Sequence, residues 1–262
     1  LNVQEALGSS GLDPREARLL LAAATGFSEA AVVAFQEKEL PAEAQTRFID
    51  FASRRRTGEP VAYILGRKEF YGLDLAVNPA VLIPRPETEL LVDLALQRDF
   101  SCAVDLGTGC GAIALALKKH RPKARVVAVE ASAAALAVAK RNAAKHSLEI
   151  EFRHGRWLEP LGAERFDLIV SNPPYVAAGD PHLAELRFEP AAALVAGADG
   201  LDAIREIARG AAAHLAPGGW LLIEHGMGQD PVVRELLSAA GLEAVSTWPD
   251  LAGIPRVSGG KR

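Results

Sequence analysis

The sequence predicts an α/β protein, a largely parallel sheet domain preceded by a small helical segment. Three observations carry this. From about residue 100 onward, short apolar runs alternate with helix-like stretches, the pattern of strand–helix–strand units. The first of those runs ends in a glycine-rich turn, Asp105-Leu106-Gly107-Thr108-Gly109-Cys110-Gly111-Ala112. Residues 1 to about 57 read as helices broken by Gly and Pro.

In chain order, Leu7 precedes a Ser9-Ser10-Gly11 break, and Pro14 opens a helix carrying Leu19, Leu20 and Leu21. Pro41 starts another helix, ending in Arg54-Arg55-Arg56, where basic side chains suit the negative end of the helix dipole. That cluster reads as a solvated helix end, with a partner contact as the sharper alternative. Residues 58–86 interleave Tyr63, Ile64, Phe70, Tyr71, Leu73 and Leu75 with glycines and are expected to form a β-hairpin linker. Pro86 then stands at the start of a helix bearing Leu90, Leu91, Leu94 and Leu96.

Strands are expected at Ala103–Leu106, Arg125–Val129, Glu149–Phe152, Phe166–Val170 and Trp220–Ile223. Helices are expected at Ala112–Lys119, Ala133–Lys145, Leu201–Leu215 and Val232–Ala240. Two closing strands, Glu243–Trp248 and Ile254–Val257, are near enough in sequence to pair antiparallel at one edge.

Composition narrows the function. The 262 residues are 49% hydrophobic and 24% charged, as in a globular protein with an ordinary core. A formal charge of −4 gives no broad basic surface for nucleic acid phosphates. Two cysteines, Cys102 and Cys110, fit a reduced cytoplasmic setting better than a disulfide framework. No signal peptide or membrane span is read from the chain. The six histidines are scattered and form no metal-binding motif, so no metal site is expected.

The glycine-rich turn sits where open α/β sheets bind ligands, beyond the carboxyl end of a strand. Gly107, Gly109 and Gly111 let the backbone turn sharply and approach a nucleotide-like cofactor, with Thr108 and Cys110 between them. This spacing alone also satisfies a relaxed dinucleotide fingerprint. Glu130, 23 residues after Gly107, ends the next strand, where its carboxylate can accept from two ribose hydroxyls. Asp105 can order the turn and face a cationic ligand. Trp157 can pack near an adenine. A sulfonium- and ammonium-bearing cofactor, S-adenosylmethionine, suits Asp105 better than a nicotinamide does.

The most specific element is Asn172-Pro173-Pro174-Tyr175, after the run Phe166–Val170. Each proline fixes φ, lacks an N–H, and pushes the preceding residue to an extended conformation. Asn172 adds a side-chain carbonyl acceptor beside backbone carbonyls, and Tyr175 adds a flat face and a hydroxyl. Such a stiff lip can take both N–H bonds of a planar NH2 group and aim its lone pair. Hydride transfer has no use for it. The pair of motifs therefore implies transfer of a small group onto an amide or amino nitrogen.

With these strings in place the chain resembles, over nearly its full length, the release factor glutamine methyltransferases. The matching segments are Tyr63-Ile64-Leu65-Gly66, Leu82-Ile83-Pro84-Arg85-Pro86-Glu87-Thr88-Glu89, the turn Asp105 to Ala112, and Ser171 to Tyr175. Arg187-Phe188-Glu189-Pro190 and Glu224-His225-Gly226 match as well. The Asn-Pro-Pro-Tyr string is shared with adenine-N6 DNA methyltransferases; the Pro-Arg-Pro-Glu-Thr-Glu segment is far more selective.

The resemblance implies an N-terminal helical bundle over 1–57 that recognises the partner. It implies a hairpin linker over 58–86 and a Rossmann-like, seven-stranded S-adenosylmethionine-dependent methyltransferase domain over 87–262. It implies methylation of N5 of the glutamine in the Gly-Gly-Gln motif of peptide chain release factors, leaving S-adenosylhomocysteine, by a monomer. It places the cofactor on Asp105, Gly107 to Gly111, Glu130, Trp157 and Asn172, and the glutamine on Asn172, Pro173, Pro174 and Tyr175. Two departures stand out: Arg156 occupies a position where relatives commonly carry an acid, and Glu130 replaces the more usual Asp. A sibling enzyme methylating a ribosomal-protein glutamine would share both sites. A nucleic acid amino-methyltransferase would need a basic groove that the chain does not announce.

Overall fold

A computed structural model describes all residues 1–262. The chain forms two compact units, Leu1–Arg67 and Lys68–Arg262.

The first unit holds five helices, α1 (Val3–Ser9), α2 (Pro14–Thr25), α3 (Glu29–Ala34), α4 (Ala42–Arg56) and α5 (Val61–Leu65). Their starts follow from local chemistry. Asn2 and Glu5 form a reciprocal capping box on α1, Asp13 caps α2 with Pro14 in its first turn, and Ser28 caps α3. One apolar face of each helix feeds a shared core built on Val3, Leu20, Leu21, Val32, Phe48 and Ile64. The arginine cluster is absorbed internally. Arg54 pairs with Glu59, Arg55 with Glu16 at 2.8 Å, and Arg56 donates to the Ser10 carbonyl.

Two sequence expectations change here. The unit ends at Arg67 rather than 57, because the stretch expected to begin the hairpin first makes α5, and Ile64 is buried in the helical core. The stop signals were present, Pro60 before the helix and Gly66 in a left-handed conformation after it, but the mixture of aromatic residues and glycines masked them. Helix α3, only six residues long, was not anticipated.

The hairpin β1 (Arg67–Phe70), whose first residue closes the first unit, and β2 (Leu73–Ala76) precede a 3-10 turn over Pro86–Thr88 that leads into α6 (Glu89–Leu96). The alternating part follows: β3 (Cys102–Leu106), α7 (Ala112–His120), β4 (Arg125–Glu130), α8 (Ala133–Lys145), β5 (Glu151–His154), β6 (Phe166–Ser171), α9 (Asp202–His214), β7 (Leu215–Glu224), α10 (Asp230–Ala239), β8 (Glu243–Pro249) and β9 (Pro255–Lys261). The seven-stranded sheet has the order β5-β4-β3-β6-β7-β9-β8. Its first five strands are parallel, and β9 runs antiparallel to both β7 and β8. The closing strands thus pair as expected, with β9 inserted beside β7 and β8 left at the edge.

Central strands read as continuous apolar runs because both faces are covered. Val104, Val127, Ile169 and Leu221 are each fully buried, together with Ile204 and Ile207 of α9 and Val233 and Leu237 of α10. Strand β3 has β4 on one side and β6 on the other, so the chain reverses its direction of travel across the sheet at β3. That switch point opens a crevice at the carboxyl ends of these strands. No helix is long and apolar enough to cross a membrane.

Candidate active site

The turn after β3 is fixed by its own hydrogen bonds. The amides of Gly107 and Thr108 both donate to the Val129 carbonyl, at 2.9 and 3.0 Å. Asp105 is fully buried; its Oδ2 accepts from the Thr108 hydroxyl at 2.6 Å and from the Ala114 amide at 3.2 Å. Burial pushes its pKa up to about 7, against the opposing pull of those donors. Asp105 therefore orders the turn, as expected. Direct contact with a ligand is corrected: the carboxylate points inward and is absent from the wall of the crevice.

That crevice is a cavity of ≈ 290 Å³. Of the residues anticipated from sequence, it brings together Gly107, Thr108, Gly109, Cys110, Glu130, Trp157, Asn172 and Pro174. Asp105, Gly111, Pro173 and Tyr175 are not on its wall. Gly111 instead takes the left-handed conformation that starts α7, and Pro173 is buried. Cys110 is no nucleophile: burial pushes its thiol up to about 12.

Glu130 uses one oxygen to accept the Gly109 amide and the other to accept the Ser132 amide, both at 2.9 Å. Each oxygen keeps a further acceptor site for hydroxyl donors. Trp157 adopts φ +45°, an unusual value for a bulky residue, and its ring rides over Gly107. A Cβ on Gly107 would come within 2.8 Å of that ring. The indole Nε1 is buried without a hydrogen-bond partner. Arg156, also on the cavity wall, pairs with Glu206, Nη2 to Oε2 at 2.6 Å. It also stacks over the Trp157 ring at 5.8 Å.

Asn172 follows β6 directly. The Ser171 hydroxyl donates to the Leu106 carbonyl at 2.7 Å, tying the ends of β3 and β6 together, so Asn172 emerges beside the glycine-rich turn. Its Nδ2 donates to Thr88 Oγ1 at 3.0 Å. The lip beyond is held by Val176, whose amide donates to Leu194 O and whose carbonyl accepts from Ala196. Gln229 Nε2 donates to the Tyr175 carbonyl at 3.0 Å, and Gly200 packs so tightly there that a Cβ would fall 2.2 Å from the same oxygen. Tyr175 turns its hydroxyl to Glu224 Oε1 at 3.5 Å rather than into the cavity, and burial raises its phenol pKa.

Sequence reasoning missed part of the wall. Arg85, Thr88, Pro190, Ala192 and Ala193 also line it. The signal existed in the Pro-Arg-Pro-Glu-Thr-Glu and Arg-Phe-Glu-Pro strings, which carry the family resemblance but were given no place on the cofactor or glutamine site. Glu189 pairs with Arg85, and the Arg187 guanidinium stacks over Phe188. Asn142 on α8 went unnoticed; fully buried, it accepts the Ala76 amide on Oδ1 and donates from Nδ2 to the Ala76 and Cys110 carbonyls at 3.0 and 2.8 Å.

The chain is similar to known methyltransferases. Residues 86–199 match the family model described as Methyltransferase small domain, and residues 2–66 match that of the PrmC N-terminal domain. The release factor glutamine methyltransferase of Pseudomonas aeruginosa is 51% identical over 252 residues, covering 94% of this chain and 91% of that one. The protein of the same name from Neisseria gonorrhoeae is 46% identical over 267 residues, covering 100% and 98%. Among solved structures, a methyltransferase from Pyrococcus furiosus superposes with a TM-score of 0.59 at 20% identity, covering 81% of this chain and 98% of that one. The 16S rRNA N2 G1207 methyltransferase of T. thermophilus, in complex with AdoMet and guanosine, gives a TM-score of 0.55 at 26% identity, covering 75% of this chain and 49% of that one.

Proposed function

This chain belongs to the release factor glutamine methyltransferase family, and from that premise we propose that it methylates N5 of the glutamine in the Gly-Gly-Gln motif of peptide chain release factors. S-adenosylmethionine is the donor that the cavity suits. Glu130 offers acceptor sites for ribose hydroxyls, the glycine-rich turn leaves room for close backbone approach, and Trp157 supplies an apolar wall. When bound, that donor supplies a methyl carbon activated by sulfonium.

The chain's own residues must overcome the weak nucleophilicity of an amide nitrogen, whose lone pair is delocalised. Asn172 Oδ1, on the cavity wall, and a backbone carbonyl of the lip accept the two N–H bonds of the glutamine and hold its lone pair in line with the carbon. Orientation of this kind is worth roughly 7–11 kcal/mol of a barrier. The same acceptors stabilise positive charge as it develops on nitrogen. The proton leaves afterwards through water or these acceptors, and no histidine base is required.

The observation that carries this reading is the placement of Asn172 on the cavity wall that also holds Gly107, Gly109 and Glu130. The helical unit Leu1–Arg67 is assigned recognition of the protein partner. Incubation with labelled S-adenosylmethionine and purified release factor, ribosomal protein or DNA tests the assignment. Label is expected on the release factor glutamine; exclusive labelling of either other acceptor overturns it.

A further inference from the structure

A primary carboxamide donates from its NH2 and accepts at its oxygen, so its neighbours fix which way it lies. Around Gln229 they leave no choice. Its Oε1 accepts the Gly226 amide at 2.8 Å, and its Nε2 donates to the Tyr175 carbonyl at 3.0 Å and to the Asp199 carbonyl at 3.3 Å. An amide N–H only donates and a backbone carbonyl only accepts. One side chain thus joins three segments: the lip that ends in Tyr175, the turn before α9 and the turn after β7. Its own backbone is anchored. The Gln229 amide donates to the Gly226 carbonyl at 3.2 Å, and its carbonyl accepts the Val233 amide of α10 at 3.0 Å. Two glycines make the room. A Cβ on Gly200 would lie 2.2 Å from the Tyr175 oxygen and 2.9 Å from Gln229 Nε2. A Cβ on Gly226 would lie 3.1 Å from Gln229 Oε1 and 3.3 Å from Tyr175 Cδ2.

The lip needs such an anchor. Pro173 and Pro174 have no N–H, so neither can tie it down through its own amide. Before them, Ser171 bonds the Leu106 carbonyl and Asn172 bonds Thr88. Immediately after them, the Tyr175 carbonyl is held by Gln229 and the Val176 amide by Leu194.

We propose that Gln229 is a positioning residue for methyl transfer, clamping the far end of the Asn-Pro-Pro-Tyr lip so that its acceptors keep the reacting NH2 in line. Gln229 is not on the cavity wall and acts only through the lip. The inference rests on the reading of the lip as the glutamine site. It also gives a role to Gly226 of the Glu-His-Gly string, which the cofactor does not use.

The test compares full-length wild type with Gln229→Met, Gln229→Glu, Leu237→Val and Leu237→Ala. Methionine keeps the length and removes all three bonds. Glutamate keeps an acceptor for Gly226 but sets carboxylate oxygens against the Tyr175 and Asp199 carbonyls. Both Gln229 variants are expected to lower kcat by roughly 10- to 100-fold, the scale of a reacting group held about 1 Å out of place. Leu237 lies in the buried core beneath the same helix, in a cluster that contains no residue of the lip. Its variants should lower the urea midpoint yet keep kcat within about threefold, which separates lost position from lost stability. Calorimetric affinity for S-adenosylhomocysteine should stay within about threefold in the Gln229 variants, because Tyr175, Asp199 and Gly226 are also absent from the cavity wall. Amide exchange supplies a substrate-free readout: the Gly226 amide should exchange about tenfold or more faster in Gln229→Met, which has no acceptor for it. Wild-type kcat in either Gln229 variant overturns the proposal, as does an unchanged Gly226 exchange rate in Gln229→Met. So does a loss of S-adenosylhomocysteine affinity as large as the loss of kcat, or an equal loss of kcat in a Leu237 variant of matched urea midpoint. If the wild type labels another NH2-bearing acceptor in place of release factor, the functional reading fails, and the same kcat series on that acceptor still decides this one.

Discussion

Glu189 reaches back to Arg85 and fastens two distant segments of the cavity wall. One of its oxygens pairs with the Arg85 guanidinium and the other accepts the Ile83 amide at 3.0 Å. The carboxylate side chain is only 3% exposed, whereas that of Arg85 is 32% exposed. A buried acid with two charge-assisted partners is costly to lose on one side. Glu189→Ala is therefore expected to destabilise the chain by about 1–3 kcal/mol, visible in urea unfolding. It should also weaken S-adenosylhomocysteine affinity, because Pro190, Ala192 and Ala193 on the same loop line the cavity. Unchanged affinity and stability together would refute the role of the pair.

Gly107 has no room for a side chain. Its φ of +73° is strained for any L-residue, and an added Cβ would press on the Trp157 ring at 2.8 Å. Gly107→Ala should cost on the order of 1–3 kcal/mol and reduce cofactor affinity. Adding Trp157→Leu should relieve the contact but not the backbone strain, so stability recovers in part while affinity does not. Full recovery of both in a thermal-shift titration would show that neither residue shapes the ligand site.

Much of this was legible in the sequence, for definable reasons. Strand and helix periods survive where packing is regular, and the helix expected at Ala133–Lys145 is observed with those bounds. The glycine-rich turn and the Asn172 lip were legible because their conformations demand particular residues. What stayed hidden depends on pairing across long sequence separations. Glu189 with Arg85, Asn142 with Ala76, and Asn172 with Thr88 join segments that no local pattern relates. The inward orientation of Asp105 and the turn of Tyr175 toward Glu224 were hidden for the same cause, since a sequence names a side chain without naming its direction.

Asp105 makes stability depend on pH. Its folded pKa, about 7, lies above the ordinary aspartate value of 3.8 because burial disfavours the charge. The folded chain thus holds a proton that the unfolded chain releases. The resulting penalty is absent below about pH 4, grows as pH rises toward 7, and is constant above that. Asp105→Asn cannot ionise. Its stability relative to wild type should therefore improve progressively from pH 4 to 7, measured by urea unfolding at several pH values. A difference that does not vary with pH would mean that Asp105 is charged in the folded chain throughout.

The helical unit offers a surface with no catalytic duty. Val33 and Phe35, at the end of α3, are 53% and 58% exposed. Large apolar groups left in water at such a site suit a protein partner. Changing both to Ser should raise KM for intact release factor by roughly tenfold, while leaving activity on a short Gly-Gly-Gln peptide unaltered. Equal loss on protein and peptide would place recognition elsewhere.

Asn172 is the decisive test of the chemistry. Its replacement by Ala removes the side-chain acceptor and leaves the backbone lip, whose stiffness comes from Pro173 and Pro174. If the acceptor matters only for holding the substrate, KM rises and kcat is kept. If it stabilises charge developing on nitrogen, kcat itself falls, by roughly 100-fold or more. The second outcome is expected, with S-adenosylhomocysteine affinity reduced far less, because Glu130 and the glycine-rich turn remain in place. Asn172→Asp sharpens the distinction. It keeps an oxygen toward the cavity but puts an acceptor where Nδ2 met Thr88. It should be nearly as impaired as the alanine variant, although it differs from asparagine by one polar atom. Single-turnover measurements at saturating cofactor, with and without saturating acceptor, separate the two effects, and wild-type turnover in either variant would end the role assigned to this residue.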